Sequence, residues 1–203
     1  LGLSNLWEIS VIESGQPVGT CSNVASIIDA SLFLTSAIVA GASYIDMATT
    51  ITHKSAESGN ISTLGLSGLN LNFEFIGNGE ALLDNASLDY SIDGGISWLA
   101  LSPSLKSLVC GVGAATWEAR SFALPSTCEN IANLRIRFVW ENDGTGAASD
   151  PSFAVNNITI TNLIPAVAFA CDSLIETALT VLPTSATIVN DTICSNEMYT
   201  LPD

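Results

Sequence analysis

The chain has 203 residues, of which 48% are hydrophobic and only 12% are charged, and its 5 Lys and Arg face 20 Asp and Glu. The net charge of −15 excludes nucleic acid as a natural partner, because phosphate binding needs a basic surface. The low charged content indicates that Ser, Thr and Asn supply the polar surface, which fits an extracellular β-protein or a subunit whose faces are covered by partners. The longest apolar run, residues 30–45, is interrupted by Ser, Thr and Gly, so no membrane insertion is expected.

Short segments with strand character fill the first quarter of the chain. The sequence predicts strands over residues 6–12, 32–39 and 42–47, and an extended segment over 49–52. The polar stretch 53–62 is expected to be a loop.

The centre of the chain carries the clearest alternation. Residues 69–75 alternate apolar and polar side chains, which is the pattern of a strand with one buried face. A turn is predicted at 77–79 and a second strand at 86–92. Asp93-Gly94-Gly95 predicts a hairpin turn, because glycine adopts positive φ at little steric cost. Trp98 is expected to begin the next strand.

Further strands are predicted over 117–122, 134–140 and 153–163, separated by loops at 111–115 and 142–150. No stretch has a convincing helical pattern. Many short strands without helices indicate an all-β sandwich or barrel.

Three of these segments also resemble a known family. The hairpin Tyr90–Trp98, the strand Asn133–Trp140 and the strand Asp150–Ile160 are similar to segments of bacterial extracellular jelly-roll modules, the MAM-like β-sandwiches. The resemblance covers roughly residues 40 to 162. It implies a jelly-roll β-sandwich over 1–162 and a place in large surface proteins exported by type IX secretion. It implies no chemistry.

The segment 163–203 resembles a second family. Cys171–Pro183 and Asn190–Asp203 are similar to the end of one tandem β-repeat and the start of the next in giant bacterial surface proteins. The resemblance implies a β-rich connector or a partial Ig-like repeat. A partial repeat cannot bury its own faces, so we expect a neighbouring copy or an adjacent repeat to complete it by β-strand addition. A flexible linker is the alternative.

The five cysteines are expected to form structural disulfides outside the cytoplasm. Cys110 and Cys128 flank a short connection, which makes a local bridge between them the simplest prediction. The repeat resemblance implies that Cys194 pairs beyond this chain, which leaves Cys21 for Cys171. A bridge between Cys171 and Cys194 is the alternative. An odd count leaves one cysteine free or paired elsewhere.

Acidic residues in the predicted loops suggest a structural calcium site, because calcium prefers carboxylate and carbonyl oxygens in flexible loops. Glu57, Asp84, Asp143 and Asp150 are the candidate ligands, at one end of the predicted sandwich. The alternative is that these residues only form turns, in which Asp side chains bond their own backbone. No other cofactor is required.

The tryptophans raise the possibility of a sugar-binding surface. Trp98 and Trp140 are in phase with Leu and Ile and are expected in the core, whereas Trp117 follows a Gly-rich loop and is the best candidate for exposure to a surface glycan.

Two tripeptides near the C-terminal end, centred on Ser173 and Thr192, resemble bacterial O-glycosylation acceptors. This resemblance suggests that the protein is a glycoprotein.

The sequence offers little support for catalysis. His53 is the only histidine, and no Gly-x-Ser-x-Gly motif occurs. We therefore expect a non-catalytic structural or adhesive module of a secreted or cell-surface bacterial protein, part of a filament or a long adhesin. The alternative is a carbohydrate-binding module of a secreted enzyme. A hydrolase would need a pair of carboxylates in a cleft, which the spacing does not identify.

Overall fold

A computed structural model describes residues 5–10, 31–36, 42–47, 51–80 and 83–162. Eleven strands and one short 3₁₀ helix, Ser126–Cys128, lie in these ranges. The strands are β1 (Asn5–Ser10), β2 (Ser31–Ser36), β3 (Thr52–Glu57), β4 (Leu69–Gly77), β5 (Asn85–Ser91), β6 (Leu99–Leu105), β7 (Val109–Gly111), β8 (Ala114–Ala115), β9 (Glu118–Ala123), β10 (Arg135–Asn142) and β11 (Phe153–Asn162).

The strands form two antiparallel sheets and a small hairpin. The five-stranded sheet has the order β1-β2-β11-β4-β9, the four-stranded sheet has the order β3-β10-β5-β6, and β7 pairs with β8. Strand β11 lies between β2 and β4, and strand β10 lies between β3 and β5. The chain crosses repeatedly from one sheet to the other, as in a jelly roll. The predicted all-β jelly-roll sandwich is therefore confirmed.

The core lies between the two sheets because alternate residues of each strand point inward. On β4 the inward residues Leu71, Phe73 and Phe75 are at most 2% exposed. Phe73 contacts Phe138 of β10 edge-on, with ring centroids 5.3 Å apart. Each such side chain contributes about 1.5–3 kcal/mol by its burial, so the alternation seen in the sequence accounts for much of the cohesion between the sheets.

A second, smaller apolar cluster lies on the outer face of the five-stranded sheet. Ala154 of β11 is paired with Phe33 of β2 on one side and with Ile76 of β4 on the other. These three residues are buried together with Ala42 and Ala115. Part of this sheet is therefore covered on both faces, which the sequence analysis does not predict.

Three of the expected elements are wrong. The predicted loop at 111–115 contains the end of β7 and the whole of β8. Residues 42–47 do not form a strand, and Ser43 makes only an isolated bridge to Thr35. Residues 53–62 are not all loop, because β3 occupies their first half and pairs with β10. β3 is a polar strand at the sheet edge, so its sequence lacks the alternation that marks a half-buried strand.

The chain divides into two units, Leu1–Leu163 and Ile164–Asp203. The described residues all belong to the first unit. The predicted β-rich extension 163–203 and its candidate acceptors Ser173 and Thr192 lie outside them, as do Cys21, Cys171 and Cys194. Within the part of the chain that the structure describes, no helix is long and apolar enough to cross a membrane.

Candidate metal centre

Four carboxylates from three separate stretches of chain meet at one end of the sandwich. Asp46 lies before β3, Glu80 and Asp84 lie between β4 and β5, and Asp143 follows β10. One oxygen of each lies within 4.8 Å of the others. Since β4 and β10 end where β3 and β5 begin, the antiparallel pairing brings these connections together. We refer to these four residues as the acidic cluster.

Asp46 is the most extensively hydrogen-bonded member of the acidic cluster. It is 4% exposed, and its Oδ1 accepts from Asn142 Nδ2 (2.8 Å) and from the N–H of Gly144 (2.7 Å). Its Oδ2 accepts from the N–H groups of Gly146 (2.8 Å) and Ala147 (3.2 Å). Burial alone would raise the pKa of Asp46, but these donors outweigh it and hold the pKa below its ordinary value. Asp46 is therefore kept ionised.

Asp84 has the opposite shift. It is completely buried and accepts from the hydroxyl of Tyr44 (2.7 Å) and the N–H of Asp143 (2.9 Å). Burial raises the pKa of Asp84, and although the two donors lower it, repulsion from Asp46 and Asp143 adds to the increase. Ionised Asp84 is thus under-compensated by its protein neighbours, and a nearby cation would favour its ionised form.

Glu80 and Asp143 form the accessible rim of the cluster, and both are half-buried. Thr145 connects them, since its Oγ1 donates to Glu80 Oε2 (3.1 Å) and its N–H donates to Asp143 Oδ1 (3.0 Å). Two buried carboxylates therefore lie below two partly exposed ones.

Lys106 is the basic residue beside this site. Its Nζ donates to the carbonyl oxygens of Asn78 (2.8 Å), Gly79 (3.0 Å) and Asp84 (2.9 Å). Burial lowers the pKa of Lys106, while Asp84 and Glu80 act to raise it. The cluster therefore has four carboxylates and one neighbouring ammonium group, so the site is strongly negative when all four carboxylates are ionised.

The donor atoms of the cluster determine which cation would fit. The carboxylates and the Thr145 hydroxyl offer only oxygen, which suits a hard cation such as Ca²⁺ or Mg²⁺ rather than zinc. Calcium tolerates irregular geometry with 6–8 oxygens, some of them from water. The four side chains present are compatible with that requirement.

Only part of this site coincides with the ligands predicted from the sequence. Asp84 and Asp143 belong to the cluster, but Glu57 and Asp150 do not. Glu57 lies at the far end of β3, opposite Arg137. Asp150 lies nearby, where its Oδ1 accepts from the N–H of Tyr44 (3.2 Å), and burial raises its pKa.

Asp46 and Glu80 are members of the cluster that the sequence does not predict. The donors to Asp46 lie 96 to 101 positions further along the chain, so no local pattern points to it. Glu80 follows the predicted turn at 77–79, and that proximity to a strand end was the available signal.

The predicted bridge between Cys110 and Cys128 is wrong. Cys128 is a free thiol, fully buried in the main core at the end of the 3₁₀ helix, and burial raises its pKa to about 11. Cys110 lies on the exposed strand β7 and is itself disulfide-bonded.

The four tryptophans lie in different surroundings. Trp117, expected to be exposed, is half-buried against the second apolar cluster, and Trp98 is half-buried below the Arg137 guanidinium, 4.3 Å from the ring centroid. Trp140 is in the core as predicted, and Trp7 donates its indole N–H to the carbonyl of Lys54. The large hydrophobic side chains exposed in the described ranges are all aliphatic.

The opposite pKa shifts of Asp46 and Asp84 resemble those of an acid–base pair. Their burial, at 4% and 0% exposure, prevents either from touching a substrate in this conformation. His53 is exposed, and its Nδ1 contacts Glu141 Oε1. The arrangement suits cation binding better than hydrolysis.

No protein-family model and no curated protein matches this chain.

Proposed function

We propose that the chain is a non-catalytic structural or adhesive module of a bacterial surface protein, part of a filament or a long adhesin. The observation that supports this is the acidic cluster, where two of the four carboxylates are buried beneath loop backbone rather than open to a cleft. Such a site is built to hold loops together. A secreted module, which meets millimolar calcium in many extracellular settings, can use it to gain stability.

The cation in this proposal is Ca²⁺, bound between Asp46, Glu80, Asp84 and Asp143. Two features support it. The cluster places four carboxylates beside a single lysine, and burial, followed by repulsion from Asp46 and Asp143, disfavours the ionised form of Asp84. A divalent cation would relieve that repulsion and connect the loop after β10 to the loop between β4 and β5.

Association with other copies, or with adjacent repeats, is proposed to use residues 163–203 rather than the edge strands β6 and β9 of the sandwich. Edge strand β6 contains Pro103, which cannot donate to a neighbouring strand. On edge strand β9, Arg120 pairs with the inward-facing Phe73, and its side chain is 47% exposed. Its guanidinium lies 5.7 Å from the centroid of the Phe75 ring and pairs with Glu118. A charged side chain and a proline on an edge strand both oppose strand addition.

The calcium proposal is tested by thermal or denaturant unfolding of the full chain in EDTA, in excess Mg²⁺ and in excess Ca²⁺. Calcium at ~100 times its Kd should raise the free energy of unfolding by about 2.7 kcal/mol, because only the folded chain presents the site. Asp143→Asn and Glu80→Gln should weaken this response, since both remove a charge from the rim without disturbing the buried carboxylates.

Asp93→Asn is the matched control, because Asp93 lies in the hairpin at the opposite end of the sandwich and should leave the calcium response unchanged. Identical unfolding curves of the unaltered chain in EDTA and in calcium would refute the proposed site. The surface location is tested separately, by electron microscopy of material isolated from intact cells.

A further inference from the structure

The first and last strands of the sandwich run in the same direction and are joined through one strand. β1 is antiparallel to β2 over six paired positions, from Asn5–Ser36 to Ser10–Ser31. β11 is also antiparallel to β2 and is paired with it at two positions, while its other side is paired with β4 at eight. β1 and β11 are therefore parallel to each other, on either side of β2.

The chain consequently enters and leaves the sandwich at opposite ends. Asn5 pairs with Ser36, at the end of β2 that is nearest to the acidic cluster. Asn162 pairs with Leu69, at the start of β4 and the far end of the sheet. Along the strand direction these points are separated by about 30 Å, given a rise of ~3.3 Å per residue.

Tension applied through the two chain ends is therefore directed along the strands. It pulls β1 past β2 and β11 past β4, so that the hydrogen bonds of each ladder resist together. A load applied across the strands would instead break the bonds one pair at a time. The ladder between β2 and β11 is short, so β1 needs a further connection to the rest of the sandwich.

Asn5 supplies that connection. It is the first residue of β1, and it is completely buried. Its Nδ2 donates to the carbonyl of Ile45 (3.0 Å) and to Thr52 Oγ1 of β3 (3.0 Å), and its Oδ1 accepts from the N–H of Ile45 (2.9 Å). Its own carbonyl accepts from Lys54 Nζ (2.9 Å). β1 is thus fastened to the four-stranded sheet at the point where tension would arrive. We refer to these contacts as the Asn5 clamp.

We infer that the sandwich is a load-bearing unit, in which shear of the β1–β2 and β11–β4 ladders and the Asn5 clamp resist tension passed from one chain end to the other. This inference deepens the proposed function, since it rests on the chain being one module of a surface protein under load. It requires no cation. The clamp and the ladders are present in the protein itself.

Single-molecule force spectroscopy tests the inference on the full chain, in reducing buffer so that no disulfide redirects the load. One preparation carries handles at the two chain ends, and the other carries them at residue 96 and the C-terminal end. Ile96 is 86% exposed in the hairpin between β5 and β6, at the same end of the sandwich as Asn162, so this second geometry peels strands apart. Pulling through the chain ends should need about twofold or more force, because paired positions then break together. Equal or lower force would overturn the inference.

The clamp is tested with Asn5→Ala, which leaves buried partners of Asn5 without hydrogen bonds. It should speed unfolding under tension through the chain ends by about tenfold, with a much smaller effect when the load enters at residue 96. Thr52→Val removes a single acceptor of the clamp and serves if Asn5→Ala does not fold. Asn60→Ala is the control, since Asn60 is exposed and bonds only Arg135 among the described side chains. If the clamp variants speed unfolding equally in both geometries, Asn5 merely stabilises the fold and bears no load.

An unfolding force through the chain ends that is no higher than the force through residue 96 would overturn the load-bearing inference. The surface-module proposal would remain, because it is tested by where the protein is found. Calcium-independent unfolding would remove the cation site and leave the shear geometry untouched. The two outcomes are therefore separable.

Discussion

The two ends of the sandwich hold aspartates in opposite ways. In the hairpin between β5 and β6, Asp93 accepts from Ser91 Oγ (2.7 Å) and from the N–H of Ser97 (2.9 Å). Hydrogen bonds from Ser97, and then from Ser91, lower the pKa of Asp93. At the other end, the donors to Asp46 come from the last residue of β10 and the loop after it, about half of the chain away. Both carboxylates are stabilised in ionised form, one by its immediate neighbours and the other by the tertiary fold.

This difference has a structural consequence. The donors to the Asp93 carboxylate lie within its own hairpin, so changes there should stay local. The acidic cluster instead depends on several loops arriving together, and each loop depends on the others. A substitution of the same kind should therefore have a larger effect at the acidic cluster than at the hairpin, which gives three paired tests.

The largest difference is expected between two glycines with positive φ. Gly79 has φ +84, and a Cβ there would lie 2.2 Å from the carbonyl oxygen of Asp84. Gly94 has φ +79, but its nearest neighbour would be 3.7 Å away. Gly79→Ala should lower the free energy of unfolding by about 3 kcal/mol or more, through strain and a backbone clash. Gly94→Ala should lower it by about 1 kcal/mol, through strain alone. Denaturant unfolding of both variants measures the difference, and equal losses would show that the loop at Gly79 adjusts freely.

The same contrast explains how far the sequence could predict this protein. Alternation along β4, β5 and β10 places Phe73, Leu88 and Phe138 in the core, because a strand with one buried face has period two. Asp93 could likewise be placed in its turn, since its partners lie within four residues. The acidic cluster could be predicted only in part, as Asp84 and Asp143 follow visible loop signals.

The features that escaped prediction all depend on distant pairing. The polar strand β3 forms because β10 offers it an edge, and nothing within its own sequence requires a strand. Packing against residues far along the chain buries Cys128 and half-buries Trp117. Proximity in sequence to Cys110 or to a Gly-rich loop was therefore a poor guide for both. Asp46 belongs to this class as well.

A smaller difference is expected when each aspartate is changed to asparagine. In Asp46→Asn, an NH₂ group replaces one carboxylate oxygen and faces N–H donors that it cannot accept from. Because Asp46 is 4% exposed, water cannot take the place of the lost acceptor. The free energy of unfolding should fall by about 2 kcal/mol. Asp93→Asn should lose clearly less, because solvent reaches the hairpin and can satisfy Ser97. Both native carboxylates have lowered pKa values, so their contribution to stability is present above pH 3.8 and is lost as the pH falls through the folded-state pKa. The acid limb of the unfolding curve should therefore flatten in either variant. A larger decrease in the free energy of unfolding for Asp93→Asn than for Asp46→Asn would contradict this prediction.

The smallest effect is expected at Asp84, and its sign is opposite to that of Asp46. The folded-state pKa of Asp84 is raised above 3.8, so the folded chain binds this proton more tightly than the unfolded chain. The free energy of unfolding must then decrease as the pH rises from 3.8 through the folded-state pKa. In EDTA, ionised Asp84 therefore lowers the stability of the folded chain at neutral pH. Asp84→Asn removes this titration while keeping an oxygen for the N–H of Asp143. The variant should therefore gain stability relative to the unaltered chain as the pH rises from about 4 to about 7. Urea unfolding at the two pH values in EDTA measures this gain, with Asp93→Asn as the reference from the hairpin end. A pH-independent difference would mean that Tyr44 and the N–H of Asp143 fully compensate the buried charge, and a cation would then have no repulsion to relieve.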